Sequence, residues 1–227
     1  MSPPAGSTGT NAALGATIAA AARAGGDTGA PGKIAAVILA AGRATRFQAT
    51  GGAGSKLVAL WHGKPLVRHV AEAALAAGLE AVVVTGHARE DVAGALAGLD
   101  LNLVHNPDFA DGMAGSLRRG LASLAPEMVG AFILLGDMPQ ISAPLLYTLA
   151  QAFAQAPAGT IAAIPVHQGA RGNPVLLGRA LFEAAKHLSG DRGARQLLAG
   201  PGVLEIDMAD PAIFADIDTP QALRDLP

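Results

Sequence analysis

Uniformly apolar runs alternate along this chain with segments whose apolar residues recur every three or four positions. Ile34 to Leu39 is the first such run and closes in Ala40-Ala41-Gly42. Ala81 to Val84, Leu101 to Val104 and Ala131 to Leu135 follow, the last closing in Gly136-Asp137-Met138-Pro139. Short apolar runs that end in turn residues predict strands buried on both faces. Between them, Leu66, Val67, Val70 and Ala74 share one face while Arg68, His69 and Glu72 fall elsewhere. That pattern predicts a helix from Pro65, a residue tolerated in a first turn, to Gly78. A second helix is predicted over Glu90 to Ala97, and a third from Leu117, Leu121 and Leu124 after Gly112. Strand–helix alternation of this kind predicts an α/β fold with a parallel, doubly wound sheet.

Such sheets bind ligands at the carboxyl ends of their strands. After the first strand stand Gly42, Arg43, Thr45 and Arg46, then Gly51, Gly52, Gly54 and Lys56. Thr85 and Gly86 follow the second, Asn106 and Pro107 the third, and Asp137 the fourth. Glycine lets backbone N–H groups approach phosphate oxygens, and Arg and Lys add charge-assisted bonds. A carboxylate at a strand end suits Mg²⁺, which takes carboxylate, water and substrate phosphates. Each residue also has a plainer reading: Asp137 as a turn or helix cap, Arg43 and Arg46 as solvated loop cations. The six histidines read as surface or hydrogen-bonded structural residues.

Several chemistries fail on spacing. No G-x-x-x-x-G-K-[ST] occurs, since Gly26 to Gly32-Lys33 is one residue too long, and no G-x-G-x-x-G follows the first strand. There is no G-x-S-x-G and no H-E-x-x-H. The absence of cysteine excludes disulfides, thiolate metal sites and a thiol nucleophile, and agrees with a cytoplasmic location. With 16 Lys+Arg against 18 Asp+Glu, the chain lacks the basic excess that duplex binding calls for, so no nucleic acid partner is expected. No apolar run reaches the ~18–20 residues that span a bilayer, so no membrane is expected either. The 51% hydrophobic content of the 227 residues supplies material for a core. Residues 1–32 are mostly Gly, Ala, Ser, Thr and Pro, with no Lys or Arg before Arg23. They read as a disordered tail rather than a secretory signal, and residues 33–227 as the folded domain.

Leu39-Ala40-Ala41-Gly42-x-x-x-Arg46 with Lys56 and Gly63-Lys64-Pro65-Leu66 resembles the signature of MobA-like nucleotidyltransferases. The later segments narrow the likeness. Asn106-Pro107 with Gly112-Met113 and Ser116-Leu117, Leu135-Gly136-Asp137-Met138-Pro139, Arg171-Gly172-Asn173-Pro174-Val175, Gly190-Asp191-x-Gly193-Ala194-Arg195 and Asp216-Ile217-Asp218-Thr219-Pro220 are similar to molybdenum cofactor cytidylyltransferases. The resemblance implies a single-domain, Rossmann-like sheet, CTP with Mg²⁺, and molybdopterin or its molybdenum-loaded form as acceptor. A recipient molybdoenzyme or its maturation chaperone would take the product. It implies Arg46, Lys56 and Asp137 as catalytic residues, and the triphosphate on Leu39, Ala40, Ala41, Gly42, Arg43, Arg46 and Lys56. It implies the base and ribose near Thr85, Gly86 and Asn106, and the metal on Asp137 and Asp218. Arg171, Asn173, Asp191 and Arg195 would face the acceptor. Guanylyl transfer to the same cofactor, sugar- or polyol-phosphate nucleotidyl transfer and a non-catalytic cofactor carrier stand as the alternatives. Two departures stand out: Phe47 followed by a glycine-rich insert, Gln48 to Ser55, and Trp61, expected to cover a core edge.

Overall fold

In β1 (Lys33–Ala40) every residue after Lys33 is buried, because helices cover both faces of the sheet it centres. The computed structural model describes residues 33–226, so the tail expected over residues 1–32 lies outside the described residues. After β1 come α1 (Thr45–Ala49), a short hairpin of β2 (Leu60–Trp61) and β3 (Lys64–Pro65), and α2 (Leu66–Ala76). Then follow β4 (Glu80–Thr85), α3 (Arg89–Ala95), β5 (Asn102–His105), α4 (Met113–Ala122) and β6 (Met128–Leu135). The remainder holds α5 (Ala143–Ala154), β7 (Ala162–His167), β8 (Ala170–Arg171), β9 (Val175–Gly178), α6 (Ala180–Ala185), β10 (Val203–Asp207) and α7 (Pro220–Asp225).

The main sheet runs β10-β7-β9-β6-β1-β4-β5, with β8 paired to β7. It is mostly parallel: β9 runs against both its neighbours, whereas β1 is parallel to β4 and to β6. This is the Rossmann-like, doubly wound arrangement expected. Alternation along β1 divides the core. Ile34, Ala36, Ile38 and Ala40 join the cluster under α2, α3 and α5, while Val37 and Leu39 join the one under α4 and α6. α2 ends two residues before Gly78, whose φ of 75° only glycine adopts cheaply.

The region expected to be a glycine-rich insert is more ordered than its composition suggests. Its first two residues complete α1, which buries Phe47 against Leu66 and Ile217. The chain then folds back, with Gln48 Nε2 donating to the Gly54 carbonyl at 3.0 Å. Gly52 has to be glycine, since a Cβ there would lie 2.1 Å from the Phe47 ring. Trp61 packs on the edge of this same cluster, the role expected of it.

Candidate active site

From β1 the chain moves outward through β4 to β5 and then crosses back to β6, so the winding reverses between β1 and β6. Loops leaving the two strands at such a point diverge and open a crevice. Here a cleft of about 550 Å³ lies between them. The Gly136 N–H donates to the Leu39 carbonyl at 3.0 Å, which fixes the mouths of the two strands against one another. A third wall comes from the C-terminal segment, where the Ile217 N–H donates to the Asp137 carbonyl at 3.0 Å. That bond sets Asp216 and Asp218, on either side of Ile217, beside Asp137.

Lys56 is the hub of the charged end. Its Nζ lies 2.5 Å from Asp137 Oδ2 and 2.9 Å from Asp218 Oδ1, and only 14% of its side chain is exposed. The 3₁₀ turn Lys56–Val58 that carries it is capped by Ser55, whose hydroxyl accepts from the Leu57 N–H. Arg46, on α1, donates to the other oxygen of Asp218 at 2.6 Å and is largely solvated. Burial works against the Lys56 charge, but attraction to Asp137 and hydrogen bonds to both carboxylates outweigh it, so its pKa lies above the ordinary lysine value. The hydrogen bond from Lys56, opposed by partial burial and aided by Arg46, holds Asp218 below the usual carboxylate range. Burial pushes Asp216 up, and the negative charges of Asp137 and Asp218 push it the same way.

Asp137 and Asp218 also fit a divalent metal. A single ammonium already reaches both, so both oxygens face one small volume. Mg²⁺ is usually held by one or two carboxylates with substrate phosphates completing its shell, rather than by an all-protein cage. Among the described residues, no group of three or more His, Cys, Asp or Glu residues suited to a metal occurs.

Another part of the cleft, the α4 end, holds no ion pair among the described residues, with Arg43 and Asp191 beside it. It is formed by Phe109, Gly112, Met113 and Ser116, at and just before the start of α4. The Arg43 guanidinium sits 5.5 Å from the centre of the Phe109 ring. Gly86 lets Phe109 close on the β1 loop, since a Cβ there would lie 2.6 Å from the Ala41 carbonyl and 2.7 Å from Phe109 Cβ.

Of the residues expected in the site, Leu39, Ala41, Gly42, Arg43, Arg46 and Lys56 line this cleft, together with Asp137, Asp191 and Asp218. Ala40, Thr85, Gly86 and Asn106 do not line it. Ala40 faces the core, Thr85 is buried and donates to the Val104 carbonyl, and Asn106 is fully buried within a hydrogen-bonded network. Arg171, Asn173 and Arg195 lie outside the lining too. Arg171 pairs with Glu205 at 2.6 Å and with the Leu198 carbonyl, and the Asn173 N–H donates to the Ile213 carbonyl. Asp216, Phe109, Met113 and Ser116 line the cleft without having been assigned a role. For Asp216 the spacing Asp-x-Asp, shared with Asp218, was the available signal.

Similarity to known proteins extends over most of the chain. A MobA-like NTP transferase domain is matched over residues 36–207. The chain is 26% identical over 121 residues to the molybdenum cofactor cytidylyltransferase of Escherichia coli, covering 53% of this chain and 59% of that enzyme. It is 36% identical over 127 residues to a bifunctional GlmU protein of Syntrophomonas wolfei, covering 54% of this chain and 26% of that protein. It thus spans less than two thirds of the length of these relatives. A nicotine blue oxidoreductase of Paenarthrobacter nicotinovorans is 30% identical over 201 residues, covering 86% of this chain and 96% of that one. Among solved structures, Rv0371c of Mycobacterium tuberculosis superposes with a TM-score of 0.74 at 27% identity, covering 85% of this chain and 95% of that one. The same protein has been solved in complex with manganese.

Proposed function

The chain belongs to the MobA-like NTP transferase family, and from that premise we propose that it transfers CMP from CTP to the phosphate of molybdopterin or its molybdenum-loaded form. The observation that carries the reading is the Lys56 ammonium bridging Asp137 and Asp218 at the mouth of the β1–β6 crevice. A phosphoryl-transfer site needs cations and a metal-holding pair of carboxylates at one point, and little else.

In this reaction an oxygen of the acceptor phosphate attacks the α-phosphorus of CTP. The bond from that phosphorus to the α–β bridging oxygen breaks, and pyrophosphate departs with both electrons. A phosphate monoester has its second pKa near ~6, so the acceptor is already an anion at neutral pH and needs no general base. The carboxylates that line the cleft are accordingly not required as bases. The cleft residues position and neutralise. Lys56 and Arg46 turn from Asp218 toward the phosphates, offsetting charge on the transferring and leaving groups. Arg43, the one cleft cation without a carboxylate partner among the described residues, meets the triphosphate first. Asp191, on the far wall, faces the acceptor. Mg²⁺ held by Asp137 and Asp218 would supply Lewis-acid neutralisation of phosphate oxygens.

The nucleotide preference is argued from Ala41, which lines the cleft and stands where guanylyl relatives tend to carry glycine. One further reading has an observation of its own: the near full-length match to an oxidoreductase. Turnover with each of the four NTPs in the presence of molybdopterin, followed by pyrophosphate release, separates the possibilities. CTP alone should support release. Release with GTP alone means a guanylyltransferase, and release with sugar or polyol phosphates but not molybdopterin means another acceptor class. Binding without release means a carrier. Oxidation of a reductant with no pyrophosphate would establish the oxidoreductase reading instead.

A further inference from the structure

Asn106, immediately after β5, is fully buried. Its Oδ1 accepts from the Asp108 N–H at 3.1 Å and from Arg119 Nε at 2.8 Å. Two donors converging on one atom identify that atom as the amide oxygen. The amide nitrogen therefore faces Ser116 and donates to its Oγ at 3.0 Å. An amide nitrogen offers no lone pair, so Ser116 cannot donate in return. No other acceptor for the Ser116 proton is found among the described residues. Ser116 is only 3% exposed, yet it lines the cleft from the first turn of α4.

We infer that Ser116 is a binding residue whose hydroxyl, held by Asn106, donates to an uncharged oxygen of the bound nucleoside, either the 2-carbonyl of a pyrimidine or a ribose hydroxyl. The inference rests on the nucleotide-transfer reading and deepens it. A phosphate is the wrong ligand for this group. At 3% exposure one hydroxyl would not offset the desolvation of an anion, and the positive charge of the cleft comes from Lys56, Arg46 and Arg43. Asn106 does not line the cleft. It is a positioning residue that acts through Ser116.

Calorimetric titration of the full chain with Mg²⁺ compares CTP, 2-thio-CTP, 2′-deoxy-CTP and 3′-deoxy-CTP. The wild type should bind CTP more tightly, by about two- to tenfold, than the analogue that weakens or removes the acceptor, the range of one neutral hydrogen bond. Which analogue loses affinity distinguishes the carbonyl from the ribose. Ser116→Ala should bind CTP and that analogue equally. Asn106→Asp should do the same with the cleft lining untouched, because its carboxylate takes the Ser116 proton for itself. Discrimination that survives in both variants, or equal weakening of all four nucleotides, overturns the inference while the CTP reading stands. A wild type that binds none of the four overturns both.

Discussion

The two ends of the cleft are built on different physics. At the charged end, Lys56, Arg46, Asp137 and Asp218 already satisfy one another, at separations of 2.5 to 2.9 Å. A triphosphate and its metal must break these pairs and replace them, so this end is a set of charges waiting to change partners. At the α4 end the fit is steric and fixed: Gly86 and Gly112 lie where a single added carbon would strike backbone at 2.6 Å. The contrast teaches that chemistry and recognition can be lost separately. Substitutions at the charged end should change rate and leave the fold, whereas glycine substitutions at the α4 end should change shape first.

The sharpest way to break the contrast is Asp137→Asn. We expect pyrophosphate release to fall by roughly 10²–10³-fold, since a metal ligand supplies several kcal/mol of charge stabilisation. Thermal unfolding should barely move, and a near wild-type rate at saturating Mg²⁺ would remove Asp137 from the metal site. Lys56→Ala comes next, with kcat lowered about 10²-fold, the scale of one preorganised donor. The same variant should bind Mn²⁺ more tightly in the absence of nucleotide, because a competing cation has left Asp137 and Asp218. Weaker Mn²⁺ binding by electron paramagnetic resonance would show that Lys56 organises the carboxylates instead of competing for them. A loss confined to KM would assign Lys56 to ground-state binding.

At the α4 end, Gly86→Ala should cost stability, by ~1–3 kcal/mol, as overpacking does. Unfolding midpoints measure it, and a midpoint equal to wild type would mean that the loop yields freely. The smallest effect is expected for Arg43→Ala, a few-fold rise in KM for CTP with kcat kept, since an exposed cation's contact with phosphate is screened by solvent and worth about 0–1 kcal/mol. A large fall in kcat there would extend the catalytic charge set beyond Lys56 and Arg46.

The sheet's centre was legible because β1, β4 and β6 are covered on both faces and read as unbroken apolar runs. The half after Pro139 was not. β7 contains Pro165, a residue that argues against a central strand, yet β7 lies between β10 and β9. The strand tolerates it because pairing with β9 stops at Ala163 and pairing with β8 starts only at Val166. The site divides similarly. Charged residues after strands announced themselves, and the cleft collects Arg43, Arg46, Lys56 and Asp137. Polar residues in the same positions were ambiguous: Thr85 and Asn106 spend their hydrogen bonds inside the frame. Ser116 could not be distinguished from any helical serine until the Asn106 network fixed its direction.

The central claim is that the pairs around Lys56 serve nucleotidyl transfer. It is tested most directly with CTP labelled at the α-phosphate, incubated with molybdopterin, Mg²⁺ and the full chain. The account predicts label in the pterin product, with one pyrophosphate released for each label transferred, and both slowed roughly 10²–10³-fold by Asp137→Asn. Label that remains in CTP while a reductant is consumed would contradict it.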